Sequence, residues 1–147
     1  MIQQLDTAEI KKMLAENSFG HLGCNDGYNT YVFPLNYIYA GNYIMAHSLP
    51  GAKINVMRQN PRVCFETEQI HSATNWKSIM VLGSYQELTD ERERYEALKI
   101  FTQKNMHPKT SAEFITAAAA NAPQQSNHVK PVIFRILIEE LTGRYEE

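Results

Sequence analysis

The residues best suited to chemistry lie between Ala46 and Lys53, where a strand pattern ends and a helix pattern begins. Free backbone N–H groups at the start of a helix bind anions, and the helix dipole strengthens that binding. Ser48 would add a hydroxyl group and Lys53 a positive charge. Together these groups would suit a phosphate monoester.

A simpler interpretation of the same segment needs no ligand. Ser48 would then only cap the helix, and Lys53 would face water. Spacing alone favours this interpretation, because helix caps outnumber phosphate sites.

Among the histidines, His47 is the candidate for a catalytic role. Its ordinary pKa of about 6.5 allows it to donate or accept a proton near neutral pH. Alternatively, it only orders a bound phosphate or substrate. His21 falls in a predicted strand and is expected to be partly buried, whereas His71, His107 and His128 fall in predicted loops without metal-ligand spacing. We therefore expect no metal site.

The N-terminal part of the chain predicts a helix followed by a strand. Asp6 and Glu9 have the spacing of a capping box, and the helix ends near residues 17–18. Its apolar stripe consists of Ile10, Met13 and Leu14. A short apolar strand is predicted at 19–24, and Asn-Asp-Gly at 25–27 is a strong turn signal.

The next predicted strand, 30–39, leads into a hairpin. Alternation places one set of side chains on a single face: Tyr31, Phe33, Leu35, Tyr37 and Tyr39. Pro34 within this strand indicates an edge position or a bulge. A turn at 40–42 connects it to a strand at 43–47, so these two strands are expected to pair.

The remaining pattern contains three helices and three strands. It predicts a short helix at 52–59, stopped by Asn60-Pro61, and strands at 62–68 and 76–88. A capped helix is predicted to begin at Asp90, and its buried stripe consists of Tyr95, Leu98 and Phe101. After it, the pattern predicts a third helix at 110–120, a surface loop at 121–130 and a last strand at 132–141. Thr142-Gly143 is expected to turn the tail outward.

These elements predict one domain, 1–147, of the α+β class. About six strands with mostly short hairpin connections favour a mainly antiparallel small barrel flanked by a few helices. The regular alternation of strands and helices that marks a doubly wound fold is missing.

Composition limits the partners and the compartment. The chain has 147 residues, of which 44% are apolar and 20% charged, and its formal charge is −2. We expect no nucleic-acid or membrane partner, since both require clustered positive charge or a long apolar segment. The N-terminus does not resemble a signal peptide. Cys24 and Cys64 are interpreted as core thiols, which predicts a cytoplasmic protein.

Several segments in a fixed order carry a resemblance to a known family. These are FPLNY at 33–37, HS at 47–48 with Lys53, NPRVCFE at 60–66, WKSIMVLG at 76–83, and FRI with EELTG at 134–143. Together they resemble the pyridoxamine 5′-phosphate oxidase-like superfamily, most of all its nitroimidazole-resistance (Nim-type) branch. The resemblance covers nearly the whole chain and implies an FMN-binding split β-barrel.

The resemblance also implies roles for individual residues. The strand residues Phe33, Pro34, Leu35 and Asn36 would present groups to the flavin ring and ribityl chain. His47 and Ser48 would approach the flavin phosphate, Lys53 would bind it, and Ser78 would contact the ring. Ala52 stands where the oxidases carry an arginine, which implies one cation fewer at the phosphate.

By the same resemblance, the protein would be a homodimer with a flavin in each of two grooves between the subunits. It would be an oxidoreductase that reduces a small organic acceptor such as a nitroaromatic compound, with His47 beside the flavin. The alternative is a non-catalytic module that binds flavin or haem. Four aromatic residues would line the flavin slot, form the dimer contact or simply pack in the core: Tyr31, Phe33, Tyr37 and Trp76.

Overall fold

A computed structural model describes residues 1–104 and 130–147 of the chain. Its elements in chain order are β1 (Gln3–Gln4), α1 (Thr7–Glu16), β2 (Phe19–Asn25), β3 (Thr30–Asn36), β4 (Ile38–Ala40), β5 (Tyr43–Ser48), α2 (Ala52–Gln59), β6 (Arg62–Ser72), β7 (Asn75–Glu87), α3 (Glu91–Gln103) and β8 (Val132–Glu146). The helix predicted at 110–120 and all but the last residue of the loop predicted at 121–130 lie outside the described residues.

The strands form one antiparallel sheet in the order β3-β2-β6-β7-β8-β5-β4, and β1 pairs with the far end of β8. The two ends of this order, β3 and β4, are consecutive in the chain and are separated only by Tyr37. The sheet must therefore curl until its two edges meet, which makes a barrel that is not closed by hydrogen bonds. This confirms the α+β, mainly antiparallel, split-barrel class.

The ladder between β7 and β8 is interrupted at one point. Their register shifts between Leu82 and Gly83, which marks a β-bulge. A Cβ atom on Gly83 would lie 2.1 Å from the carbonyl oxygen of Leu137, so only glycine allows the two strands to approach this closely.

Apolar side chains fill the barrel and a second layer outside it. The barrel core contains fully buried residues from five strands, among them Leu22, Ile44, Phe65, Ile79 and Phe134. α3 packs on the outside of β4, β5 and β8, where it buries Ala97 and Phe101 against a smaller cluster.

The capping residues are those that the sequence predicts. The Asp6 carboxylate accepts a hydrogen bond from the Glu9 N–H at 2.8 Å, and the Asp90 carboxylate accepts one from the Glu93 N–H at 3.1 Å. These bonds satisfy backbone donors that have no partner within the helix.

The predicted stripe of α3 is wrong at Tyr95, which is 62% exposed. Ala97 takes the inward position instead. Two residues apart on a helix, the side chains of Tyr95 and Ala97 point in nearly opposite directions. The small size of Ala97 hid its burial from a pattern based on large apolar residues.

Two predictions about the strands are also wrong. The predicted strand 30–39 is divided at Tyr37, and only its second part pairs with β5. The tail does not turn out at Thr142-Gly143: β8 continues to Glu146, because Gly143 pairs with Ile79 and the chain beyond it pairs with β1. The described residues contain the expected six or so longer strands and two short ones, β1 and β4.

Candidate functional site

The strand is divided at Tyr37, and beyond this point β3 and β5 are not paired with each other. We call the gap between these two strands the fork. In the β4–β5 ladder, Ile38 is opposite Met45. If that ladder continued, Asn36 would be opposite His47. Instead β3 turns away and pairs with β2 along its whole length. In the described part of the chain, no ladder joins β3 to β5.

A pocket of about 250 Å³ occupies this fork. Its walls are mostly apolar, with an amide, a hydroxyl and an imidazole among them: Phe33, Pro34, Leu35, Asn36, His47, Ser48 and Leu49. β3 is an edge strand among residues 1–104 and 130–147, so no described strand pairs with its backbone N–H and C=O groups on the side of the fork. Pro34 at this edge confirms the predicted edge position.

Lys53 does not line the pocket itself, but its charge lies next to one of the residues that do. Its Nζ lies 4.5 Å from the centroid of the Phe33 ring. The side chain is otherwise exposed, as the simpler interpretation of this segment expected. The contact with Phe33 nevertheless holds the ammonium group beside the fork.

The start of α2 carries no side-chain cap. Its N-cap residue is Gly51, and no acidic residue lies in its first turn. The hydroxyl of Ser48 donates to the carbonyl oxygen of Leu49 at 3.0 Å, so the interpretation of Ser48 as a helix cap is wrong. The helix start is therefore free of the carboxylates that would repel an anion.

Contacts with the barrel hold α2 in place. Ile54 and Met57 are buried against the core. At the other end of the helix, Arg58 donates two hydrogen bonds to Glu87 of β7, at 2.7 and 3.0 Å. These hydrogen bonds lower the pKa of the Glu87 carboxyl, which also accepts a bond from the hydroxyl of Tyr85. This ion pair lies about one turn and a half beyond Lys53 on the same helix.

His47 lies at the end of β5, between the fork and α3. It pairs with Ile133 of β8. Its ring packs edge to face against Phe101, with centroids 5.0 Å apart and an interplanar angle of 78°. Aromatic packing of this kind fixes the plane of the imidazole.

Ser78 is not part of the fork. It lies on the outer face of β7, where its hydroxyl donates to Glu66 at 2.9 Å. The structure therefore brings together six of the predicted site residues in the pocket wall, places Lys53 against that wall and leaves Ser78 apart.

Sequence reasoning missed Leu49 in the wall and Phe101 behind His47. Leu49 was detectable as an apolar residue in an otherwise polar loop, whereas the approach of Phe101 depends on long-range packing.

Of the four aromatic residues with open roles, Tyr37 belongs to the core, because its hydroxyl donates to the Leu14 carbonyl oxygen in a buried bond of 2.7 Å. Phe33 is buried and also lines the pocket.

Neither a metal centre nor a membrane-spanning helix is found in the described ranges. Residues 1–104 and 130–147 contain no group of three or more His, Cys, Asp or Glu side chains arranged to hold a metal ion. No helix within those ranges is long and apolar enough to cross a membrane. Cys24 and Cys64 are both free thiols.

An open antiparallel barrel with flanking helices is the architecture of the split-barrel α+β class. The chain belongs to the pyridoxamine 5′-phosphate oxidase family, whose model matches residues 6–145. This confirms the resemblance inferred from the ordered segments.

Solved structures of similar proteins have the same fold. An FAD-binding protein from Mesorhizobium loti is 31% identical, with a TM-score of 0.75 over 100% of this chain and 99% of that one. A putative 5-nitroimidazole antibiotic resistance protein from Bacteroides thetaiotaomicron is 19% identical, with a TM-score of 0.70 over 100% and 93% of the two chains. An FAD and heme binding protein from Mycobacterium smegmatis is 12% identical, with a TM-score of 0.70 over 98% and 73%.

Proposed function

We propose that this protein is an FMN-dependent oxidoreductase that reduces a small organic acceptor such as a nitroaromatic compound. The observation that carries the proposal is the fork, which gathers an apolar slot, an edge-strand backbone, a hydroxyl and a cation in one place. The family and the named FAD-binding relative support a flavin as the ligand.

The groups at one end of the fork fit the phosphate of FMN. Lys53 would pair with the phosphate charge, and the hydroxyl of Ser48 would donate to a phosphate oxygen. The backbone N–H groups at the start of α2 would add further donors, since no side chain caps them. Ala52 contributes no charge, so Lys53 would be the main cation at this end.

The remaining wall fits a flat ring and its polar side chain. Phe33, Pro34 and Leu35 supply apolar contact, and the amide of Asn36 can both donate and accept hydrogen bonds. When bound, the flavin would supply the transfer of hydride or electrons to the acceptor. The protein would orient the ring and exclude water from one side of it.

His47 is proposed as the proton donor to the acceptor. It lies in the pocket wall, and Phe101 holds the plane of its ring. An imidazole near neutral pH can give a proton to a group that gains electrons and regain it from solvent.

We further propose a homodimer with the flavin sites between the subunits. A pocket of about 250 Å³ is small for a ligand of this size, since typical ligand pockets span roughly 300–1,000 Å³. A second subunit could complete it. The outer face of the sheet carries exposed apolar side chains suited to such a contact: Phe19, Val32, Ile70 and Met80. Proteins of this family generally form dimers that bind flavin.

The absorbance spectrum of freshly purified protein is the direct test. Flavin bands, with FMN identified by chromatography after heat release, would support the cofactor. Consumption of a nitroaromatic with dithionite or NAD(P)H as the electron source would then support the reaction. Protein that purifies without flavin and binds none on addition of FMN would contradict the proposal.

Both cysteines are free thiols, which is consistent with a cytoplasmic location.

A binding module without turnover is the second candidate. It is favoured by the Mycobacterium smegmatis structure with the same fold, whose name includes both FAD and heme. A Soret band after addition of haem, without turnover of any nitroaromatic, would support this alternative.

A further inference from the structure

A second pocket, of about 680 Å³, lies between α2, the end of β7, the first turn of α3 and the start of β8. Its size falls within the roughly 300–1,000 Å³ of typical ligand sites. No described residue lines both this pocket and the fork, so the two are separate cavities. We call it the α2–α3 pocket.

The two cavities are neighbours across the loop that precedes α2. Leu49 lines the fork, and the next residue, Pro50, lines the α2–α3 pocket. The same relation holds across one strand pair, because Ser48 of the fork wall is opposite Val132 in the wall of the α2–α3 pocket. α2 begins directly after this loop, and no side chain caps its first turn. A phosphate bound at the start of α2 would therefore lie close to both cavities.

The walls of the α2–α3 pocket combine apolar side chains with a hydroxyl group. Pro50, Leu88 and Val132 provide the apolar contact, and Thr89 supplies a hydroxyl that can both donate and accept a hydrogen bond. A purine base has matching properties, because its flat faces need apolar contact and the nitrogens at its edge need hydrogen-bond partners.

Positive charge exceeds negative charge in the same walls. Among the described residues that line the pocket, Arg58, Arg94 and Lys130 are cationic and Glu87 and Glu91 are acidic, although the formal charge of the whole chain is −2. Glu87 accepts two hydrogen bonds from Arg58, so these two charges already compensate each other. The remaining excess of positive charge favours an anion.

Arg94 is held in a position from which it can contact such an anion. Its Nη2 atom donates to the carbonyl oxygen of Pro131 at 2.9 Å in a partly buried contact. This bond joins α3 to the segment before β8 and restricts the motion of the guanidinium group. A guanidinium has five N–H donors, so it can keep this bond and still donate to a phosphate.

We propose that the α2–α3 pocket binds an adenosine phosphate group, with the phosphate at Arg94 and Lys130 and the base against the apolar wall. The inference goes beyond the proposed function and rests on it only for the ligand in the neighbouring fork. Two sources could supply this group. One is the second half of FAD, whose FMN half would occupy the fork with the phosphates at the start of α2. The other is a separate nicotinamide dinucleotide that serves as the electron donor.

Calorimetric titration of the flavin-free protein with FMN and with FAD tests the first source. The two ligands share the ring and the first phosphate, so a difference in affinity reports on the adenosine phosphate half alone. If that half occupies the pocket, FAD should bind at least roughly tenfold more tightly than FMN, the factor expected for one charge-assisted contact. Titration of the FMN-loaded protein with NAD⁺, which cannot reduce the flavin, tests the second source.

Two variants of the pocket and one matched control locate the contact. Arg94→Gln should remove most of the preference for FAD over FMN, or weaken NAD⁺ binding roughly tenfold, while the affinity for FMN stays unchanged. Arg92→Gln is the control, because Arg92 lies on the same helix, forms an ion pair with Glu96 and does not line the pocket. Lys130→Glu should act like Arg94→Gln. Lys130 is exposed and takes no part in the bond between Arg94 and Pro131, so this variant decides the matter should Arg94→Gln fail to fold.

Equal affinities for FMN and FAD together with no binding of NAD⁺ would overturn this inference. So would a preference for FAD, or binding of NAD⁺, that persists in both pocket variants. Normal FMN binding in those cases leaves the proposed function in place. Conversely, a protein that binds neither flavin but binds NAD⁺ with the expected dependence on Arg94 would remove the proposed function and keep the pocket.

Discussion

At the scale of single residues, the proposed contact between Lys53 and the flavin phosphate can be tested through the affinity for FMN. Its ammonium group lies beside the pocket through its contact with Phe33. Lys53→Ala should weaken FMN binding by at least about 1 kcal/mol, or roughly fivefold, because a charge-assisted hydrogen bond is lost. Titration of the apo-protein with FMN measures this change, and riboflavin binding should be unaffected.

A matched control exists in α3. Lys99 is another lysine above an aromatic ring, with its Nζ 5.6 Å from the centroid of Tyr95, but Tyr95, unlike Phe33, does not line the fork. Lys99→Ala should leave FMN binding unchanged. An unchanged dissociation constant in Lys53→Ala would remove Lys53 from the phosphate site.

The role of His47 is separable from binding. Glutamine keeps the hydrogen-bonding capacity of the side chain but cannot titrate. His47→Gln should therefore lower the turnover of a nitroaromatic by about a hundredfold while FMN affinity stays within about twofold. Steady-state kinetics on samples of equal flavin content provide the measurement. His71→Gln, at an exposed histidine near the end of β6, is the control. Loss of flavin in parallel with turnover would assign His47 to ordering the ligand only.

At the scale of elements, the β-bulge between β7 and β8 requires a glycine. The two strands approach each other at Gly83, where an added Cβ would lie 2.1 Å from the Leu137 carbonyl oxygen and 2.9 Å from the side chain of Ile136. Backbone atoms cannot move aside without breaking the ladder. Gly83→Ala should therefore destabilise the fold by about 3 kcal/mol.

Chemical denaturation at a fixed protein concentration measures this effect. Gly51→Ala is the control, because Gly51 has extended backbone angles and no atom within 4 Å of the added Cβ. Its free energy of unfolding should change by less than about 0.5 kcal/mol. Equal stability of the two variants would show that the strands can separate at the bulge at little cost.

At the scale of the whole molecule, the outer face of the sheet is the proposed contact between two subunits. Met80 lies there and is 41% exposed. A carboxylate at this position would be buried without a partner in a dimer, at a cost of several kcal/mol. Met80→Glu should therefore give a monomer by light scattering and should bind FMN more weakly, since the groove between subunits is lost.

Tyr95→Glu provides the comparison on a different element, α3. Tyr95 is 62% exposed on α3, away from the outer face of β6 and β7. This variant should remain a dimer with normal flavin content. A wild-type protein that is monomeric with flavin bound would contradict the groove between subunits.

Local signals in the sequence were sufficient for much of the fold. Asp6 and Asp90 mark helix starts because a capping carboxylate acts on the next few N–H groups, which the sequence shows directly. Pro34 marks an edge strand because it lacks a donor, and Asn60-Pro61 ends α2 through a steric restriction on the preceding residue. The candidate segment from His47 to Lys53 was found for the same reason, since its strand end, loop and helix start are adjacent in the chain.

Only the tertiary structure decided how these pieces meet. The period of a strand shows which side chains share a face but not which strand lies beside them, so the sequence could not show that β3 leaves β5 at Tyr37 and pairs with β2. That change of partner opens the fork and forms the pocket. The pairing of β6 with β7 places Ser78 next to Glu66 and not in the pocket wall, and the packing of α3 outside β5 brings Phe101 against His47. These contacts join residues far apart in the chain, and their geometry follows from the register and curl of the whole sheet.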